Sequence, residues 1–184
     1  NQNGSVVTLE EGDYSVALKG FSIINGLNDD GGGINVISGQ QLNLENIIIQ
    51  NNVAINSGGG IFLNDGAIVT IDSVFVLENT AEIGGGINMQ NNSEVSVINS
   101  SFISNNSNGN GAGIRIVLAS ILTTQNTNFN DNSSNSSGGG FYIDGENTSV
   151  SISHCILSNN NGENGGGLKV AGNASVFTEN SLFH

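Results

Sequence analysis

The sequence predicts an all-β chain, a single-domain parallel β-helix (β-solenoid) that spans residues 1–184 in about seven coils of about 27 residues each, with no evident caps. Two observations predict this fold. A glycine cluster recurs at nearly constant spacing, and apolar and polar residues alternate with a period of two between the clusters. The chain also contains no proline, which fits a chain made mostly of paired strands.

The glycine cluster, followed by one large apolar residue, occurs six times, and successive clusters begin 27, 26, 27, 27 and 27 residues apart. The clusters occupy residues 31–34, 58–61, 84–87, 111–114, 138–141 and 165–168. A turn that recurs at the same point of every coil needs either a positive φ or a close backbone approach, and glycine permits both. The spacing therefore indicates stacked structural units.

Between the clusters, apolar residues alternate in short runs, which is the pattern of strands rather than helices. The first run follows the glycines and contains the pairs Ile34/Val36, Ile61/Leu63, Ile87/Met89, Ile114/Ile116, Phe141/Ile143 and Leu168/Val170. The second run follows a polar turn and contains Leu42/Leu44, Val69/Ile71, Val95/Val97, Leu122/Thr124, Val150/Ile152 and Val176/Thr178. A third run carries one large apolar residue in each repeat, namely Ile49, Val76, Phe102, Phe129, Leu157 and Phe183.

The segment before the first cluster supplies the same positions, so the chain holds seven copies of the repeat. Its residues at those positions are Val7, Leu9, Val16, Leu18 and Ile23. Three short strands per repeat match one coil of a parallel β-helix. A single coil cannot bury its own apolar face, whereas coils stacked about 4.8 Å apart bury it as aliphatic ladders and form a rod about 33 Å long.

Two tetrapeptides sharpen this interpretation: Phe102-Ile103-Ser104-Asn105 and Phe129-Asn130-Asp131-Asn132. Together with the Gly-Gly-Gly-Ile clusters they resemble the right-handed parallel β-helix (pectin-lyase-like) superfamily. More narrowly, they resemble the repeats of polymorphic outer-membrane (autotransporter-type) and related bacterial surface proteins. The resemblance implies a right-handed coil. It does not imply one activity, because the fold hosts lyases, hydrolases, adhesins and structural fibres.

The composition narrows the classes of partner. Three basic and 16 acidic residues give a formal net charge of −13, which argues against binding nucleic acid or an anionic membrane surface. No run of 18 apolar residues occurs, so no membrane insertion is expected. A single cysteine cannot form an internal disulfide, and a chain poor in cysteine and lysine but rich in Asn and Ser suits an extracellular or cell-surface protein. Because it begins at Asn1, it is expected to be a mature product, an excised module or a sequence read without its precursor.

Oxygen-rich turns before the glycine clusters are candidate calcium sites. Stacked coils would align these turns along one edge of the rod, where carboxylate and amide oxygens are suitable ligands for Ca²⁺. The candidate ligands are Asp29, Asp30, Asn56, Glu82 and Glu163. The alternative is that the turns are only solvated, because they do not form a regular acidic ladder.

Arg115 and Lys169 share one repeat position two coils apart, with Tyr142 between them and Asp144 nearby. At about 10 Å apart on one outer face they could hold a sugar. In β-helix enzymes that this chain resembles, such cations face a substrate carboxylate. The alternative is a solvated face with scattered charges, since the coils lack the long inserted loops that build an active site. No catalytic residue is expected, because His154 and its neighbour Cys155 should lie on opposite faces of a strand.

These observations favour a non-enzymatic extracellular structural protein, a subunit that stacks end to end into a fibre with calcium as a reinforcing ion. The contacts between copies are expected at the two end coils, through Val7, Leu9, Val16, Leu18, Ile23, Leu168, Val170, Val176, Thr178 and Phe183. One alternative is an adhesin or autotransporter passenger fragment on a bacterial surface. Another is a glycan-binding or polysaccharide-lyase-like β-helix. The expected partners are a second copy of the chain and cell-surface or matrix glycans.

Overall fold

The computed structural model describes residues 4–10, 12 and 15–184, and every regular element in that part of the chain is a β-strand. The strand after each glycine cluster belongs to the first sheet: β1 (Val7–Leu9), β5 (Ile34–Val36), β9 (Ile61–Leu63), β13 (Ile87–Met89), β17 (Ile114–Val117), β21 (Phe141–Asp144) and β24 (Leu168–Ala171). The second sheet contains β2 (Ser15–Lys19), β6 (Gln41–Glu45), β10 (Ile68–Asp72), β14 (Glu94–Ile98), β18 (Ile121–Gln125), β22 (Ser149–Ser153) and β25 (Ser175–Glu179).

Two further sheets complete each coil. The third contains β3 (Ser22–Ile24), β7 (Ile48–Gln50), β11 (Phe75–Leu77), β15 (Ser101–Ile103), β19 (Asn128–Asn130), β23 (Ile156–Ser158) and β26 (Leu182–Phe183). The fourth contains β4 (Leu27–Asp30), β8 (Val53–Ser57), β12 (Thr80–Ala81), β16 (Asn106–Ser107) and β20 (Ser133–Ser134). Neighbouring strands within every sheet are parallel, so the predicted all-β parallel β-helix is confirmed, with seven strands in each of three sheets.

The fourth sheet is an addition to the three strands per coil that the sequence predicts. Its strands β12, β16 and β20 are only two residues long. Their inward residues are Ala81, Ser107 and Ser134, which are small and mostly polar. An apolar alternation cannot be recognised over two residues, and this is why the sequence gives no sign of these strands.

The core consists of side-chain ladders that run along the axis of the rod. Equivalent residues of successive coils pair in register, as Ile34 does with Ile61 and Ile61 with Ile87. The predicted inward residues of coils two to six are all buried, with at most 2% of their surface exposed. Removing each large aliphatic side chain from water contributes about 1.5–3 kcal/mol, so the ladders are the main stabilising feature. Phe102 and Phe129 stack with their ring centroids 4.9 Å apart.

Single residues in the left-handed region form the corners between sheets. At the corner between the second and third sheets, φ lies between 47° and 56° at Asn46, Ser73, Asn99, Asn126, His154 and Asn180. Asparagine tolerates this conformation better than most residues because its short side chain bonds locally. The recurrence of asparagine at this position therefore reflects backbone geometry, and His154 adopts the same conformation in its place.

A buried asparagine ladder supports the turn from the third sheet to the fourth. Asn52, Asn79, Asn105, Asn132 and Asn160 occupy equivalent positions in five successive coils. From Asn79 onward, the side-chain oxygen of each accepts hydrogen bonds from the backbone N–H and the side-chain amide of the asparagine one coil earlier, at 2.9–3.1 Å. The Asn52 oxygen accepts from the Gly26 N–H at 2.8 Å. The side-chain amide also donates to a backbone carbonyl of the preceding coil, for example from Asn105 to Val76. Buried polar groups are stable only when bonded in this way.

The glycine clusters let the backbones of adjacent coils approach closely. A Cβ atom added at Gly59 would lie 2.5 Å from the carbonyl oxygens of both Gly85 and Thr80, which are backbone atoms that cannot move aside. Gly58 is required for a second reason, because its φ of +67° is strained for any residue with a side chain. The clusters therefore fix the coil-to-coil spacing at this turn.

Candidate functional sites at the coil ends and on the outer faces

The seventh coil leaves the core ladder open. Val170 and Phe183 are 39% and 41% exposed, whereas Ile143 and Leu157, the residues that they pair with in the sixth coil, are at most 1% exposed. Leu168 and Val176 are half-buried, and Thr178 is exposed. The strands β24, β25 and β26 are each the last of their sheets, so one edge of each presents unpaired backbone groups.

The first coil differs from the seventh. Ile23 is fully buried and Leu9 is 7% exposed, while Val7, Val16 and Leu18 are partly buried against the core. The sequence predicts bare coils at both ends, but the first coil is partly closed in the structure. At the edge of the fourth sheet in this coil, Gly4 forms an antiparallel bridge with Leu27, in which the Gly4 N–H donates to the Leu27 carbonyl at 2.6 Å.

The five candidate calcium ligands are spread over four coils, the first, second, third and sixth. Asp29, Asn56, Glu82 and Glu163 are exposed, and Asp30 is half-buried. The carboxylates lie in the first, third and sixth coils, so Glu82 and Glu163 are about 14 Å apart along the axis at the usual strand spacing. Glu82 Oε2 instead accepts a hydrogen bond from Asn108 Nδ2 at 3.1 Å. Among the described residues, no three His, Cys, Asp or Glu side chains are grouped closely enough to hold a metal ion, and calcium binding stays a prediction.

The outer face of the first sheet carries a ladder that the sequence only partly revealed: Asn35, Phe62, Asn88, Arg115, Tyr142 and Lys169. Although they point outward, Phe62 is only 8% exposed and Asn88 is fully buried. A Cβ atom on Gly84 would lie 2.6 Å from the Cβ of Asn88, so the glycine turn packs directly against this ladder. The face is therefore a trough rather than an open surface.

Arg115 makes few of the hydrogen bonds that its guanidinium group can donate. Nη1 donates to Asn88 Oδ1 at 2.9 Å, and Nε is buried without a partner. Burial lowers the pKa of Arg115, and the nearby Tyr142 and Asp144 partly offset this effect. The Asp144 carboxylate accepts a hydrogen bond from the Tyr142 hydroxyl at 2.9 Å and forms no ion pair with Arg115. The predicted order of Arg115, Tyr142 and Lys169 along one face is confirmed by the strand register.

His154 and Cys155 are on opposite sides of the chain. The His154 side chain is exposed at its corner, 3.5 Å from Asn180 Nδ2. The Cys155 thiol is buried, donates to the Ser153 carbonyl at 3.2 Å and contacts Thr124 Oγ1 at 3.8 Å. Burial raises the pKa of the Cys155 thiol, which favours the unreactive protonated form.

Sequence reasoning missed two features of these sites. Asn88 supports the Arg115 side chain, and the only available signal was that the two residues share a repeat position 27 residues apart. Gly4 and Leu27 pair across the first coil, and no repeat position predicts that bridge.

Comparison with known proteins identifies the fold. A family model described as a right-handed beta helix region matches residues 6–183. The right-handed coil implied by the sequence resemblance is thereby confirmed. No match was found among curated proteins or among solved structures. The described part of the chain contains no helix that is long and apolar enough to cross a membrane.

Proposed function

The chain belongs to the right-handed beta helix family, and we propose that it is a non-enzymatic extracellular structural protein that extends by stacking copies end to end. The observation that carries this proposal is the open ladder of the seventh coil, where Val170 and Phe183 remain exposed. In the proposed fibre, the first coil of a second copy lies on this coil as each coil lies on its neighbour. Such a head-to-tail contact does not close and grows as a filament.

The two end coils match in pattern. In the last internal contact, Val150 pairs with Val176 and Leu157 pairs with Phe183. A second copy would place Val16 on Val176 and Ile23 on Phe183, so that both ladders continue with apolar residues. Three strands would gain parallel partners, and each net backbone hydrogen bond contributes about 1 kcal/mol.

The closed state of the first coil limits this assembly. Leu9 and Ile23 are already buried, so a second copy must displace what covers them. The Gly4–Leu27 bridge contains two backbone hydrogen bonds, fewer than a newly paired coil would form. We therefore expect slow nucleation and assembly that depends steeply on protein concentration.

The shape of the outer faces supports a structural rather than catalytic role. Two surface hollows have volumes of about 280 Å³ each. The first is lined by Leu27, Asn28, Asp29 and Ile55, and the second by Ile103, Asn128, Asn130, Ile156 and Ser158. Neither lining contains a pair of titratable side chains, which acid–base catalysis would require. The composition, poor in cysteine and lysine and rich in Asn and Ser, is what supports an extracellular location.

Sedimentation velocity across a range of protein concentrations tests the proposal. We expect Val170→Lys to weaken assembly at least tenfold, because the ammonium group would lie within the ladder contact. Val53→Lys is the matched control, since Val53 is 40% exposed on the side of the rod. A wild-type chain that stays monomeric at high concentration with calcium present would contradict end-to-end stacking. Loss of assembly on chelation would support a reinforcing role for calcium, and unchanged assembly would remove calcium from the proposal.

The second candidate function is an adhesin passenger module, in which further coils of a longer polypeptide extend the seventh coil. The difference between the two ends favours it, because the first coil is closed and the seventh is open. The partners of such a module would be cell-surface or matrix glycans. Monomeric rods that bind immobilised glycans in the same concentration range would favour this function over the fibre.

A further inference from the structure

The outer face of the third sheet carries no charged side chain in the described residues, although the chain has a net charge of −13. We call the outward residues of β3, β7, β11, β15, β19, β23 and β26 the third-sheet face. The second sheet provides the contrast, because its outward residues include Lys19, Glu45, Asp72, Glu94 and Glu179.

The third-sheet face is also apolar. Its exposed large side chains are Ile24 (46%), Ile48 (39%), Phe75 (49%), Ile156 (42%) and Leu182 (53%). Side chains of this size at these exposures present on the order of 400 Å² of apolar surface along the face, comparable to the largest apolar patch of a typical monomer, which is often functional. Two such faces in contact would bury about 1,000 Å² in total with their polar rims, the size at which specific but weak complexes begin.

We propose that two copies of this chain pair side by side through the third-sheet face, with their rods antiparallel and related by a two-fold axis at the fourth coil. A second copy fits this surface for an electrostatic reason. Two rods with the same negative charge repel one another, and this repulsion is weakest where both present an uncharged face. An anionic partner would gain no electrostatic attraction from a face without charged side chains. This lateral contact is distinct from the end-to-end contact proposed above and does not depend on it.

The relief of the face is self-complementary about the fourth coil. Phe75 protrudes in the third coil, and the hollow of about 280 Å³ beside Asn128 and Asn130 lies in the fifth. A two-fold axis through the fourth coil places the third coil of each rod against the fifth coil of the other, so each Phe75 enters the hollow of its partner. A two-fold contact requires this reciprocity.

The remaining apolar residues also face one another. The same axis places Ile48 of the second coil against Ile156 of the sixth. Ile103, in the third position of β15, lies at the axis and meets its own equivalent. The rim brings Glu78 and Asp131 together across the contact, because they occupy equivalent corners in the third and fifth coils. Their repulsion makes the pairing stronger at higher salt concentration.

Sedimentation equilibrium of the full chain carrying Val170→Lys tests the pairing with end-to-end contacts weakened. We expect a dimer whose dissociation constant falls as NaCl is raised. Phe75→Glu should weaken the dimer at least tenfold. Ile68→Glu is the matched control, since it adds the same charge to a 43% exposed residue of the second sheet in the same coil, and it should change the dissociation constant less than twofold.

Cysteine cross-linking tests the antiparallel geometry. In a Cys155→Ala background, Ile103→Cys should form a disulfide-linked dimer on oxidation. Ile48→Cys alone and Ile156→Cys alone should each form no disulfide-linked dimer, whereas a mixture of the two should form one. Self-cross-linking of Ile48→Cys alone would overturn the antiparallel arrangement. A protein that remains monomeric at all salt concentrations would overturn the pairing. If that monomer also sediments with neutral phosphatidylcholine vesicles, the third-sheet face would be assigned to a lipid surface instead.

Discussion

Replacing Asn105 by alanine removes the central member of the buried asparagine ladder. Asn105 Oδ1 accepts hydrogen bonds from the backbone N–H and the side-chain amide of Asn79, and its own amide donates to Asn132 Oδ1 and to the Val76 carbonyl. The alanine leaves at least two buried donors of Asn79 without this acceptor, its backbone N–H and one hydrogen of its side-chain amide. At about 1–3 kcal/mol for each orphaned group, we expect Asn105→Ala to lower the free energy of unfolding by about 3–5 kcal/mol.

Chemical denaturation followed by circular dichroism measures this loss. Asn106→Ala is the matched control, because Asn106 is the next residue and its side chain is exposed. We expect the control to change the free energy of unfolding by no more than about 0.5 kcal/mol. Equal effects of the two substitutions would refute the role assigned to the ladder. Asn105→Asp extends the test, because burial raises the pKa of a carboxyl group there. The aspartate variant should therefore be less stable at pH 7 than at pH 4.

Three further predictions concern other parts of the molecule. Phe129→Ala should cost about 3–5 kcal/mol of unfolding free energy in the same denaturation assay, because Phe129 contacts both Phe102 and Phe141; a cost below about 1 kcal/mol would contradict the packed aromatic ladder. Arg115→Met should leave the melting temperature unchanged or raise it, because it removes a partly buried cation that forms no ion pair with any residue the structure describes; a clear fall would show that the bond to Asn88 outweighs the burial of the charge. Because burial raises the pKa of the Cys155 thiol, the fold favours the protonated thiol. This contribution to stability is fully present below the pKa of the thiol in the unfolded chain, and it is lost as the pH rises through the pKa of the thiol in the folded chain. Wild-type protein should thus lose more stability between pH 8 and pH 10 than Cys155→Ala, and equal losses would contradict it.

The repeat made most of the fold predictable, because the apolar alternation around each cluster has the period of a strand. Residues such as Ile61, Val69 and Phe102 could be assigned to the core from their repeat positions alone. The fourth sheet was not predictable, because strands such as β16 are two residues long and lack apolar side chains. Periodicity identifies positions but not the partners of polar groups.

The functional surfaces were predictable only where they follow the repeat. The open ladder at Val170 and Phe183 follows from the pattern of the seventh coil. The burial of Leu9 and Ile23 in the first coil, and the bridge between Gly4 and Leu27, do not follow from the repeat. The calcium prediction stays untested, and the carboxylates that carry it lie in the first, third and sixth coils, a separation that the repeat position alone does not express.

Electron microscopy of negatively stained protein shows directly whether copies of the chain stack end to end. We expect wild-type protein and Val53→Lys to form unbranched filaments that are one rod wide, or two rods wide where rods pair. We expect Val170→Lys to form short rods about 33 Å long. Short single rods in all three samples at high concentration with calcium present would contradict end-to-end stacking.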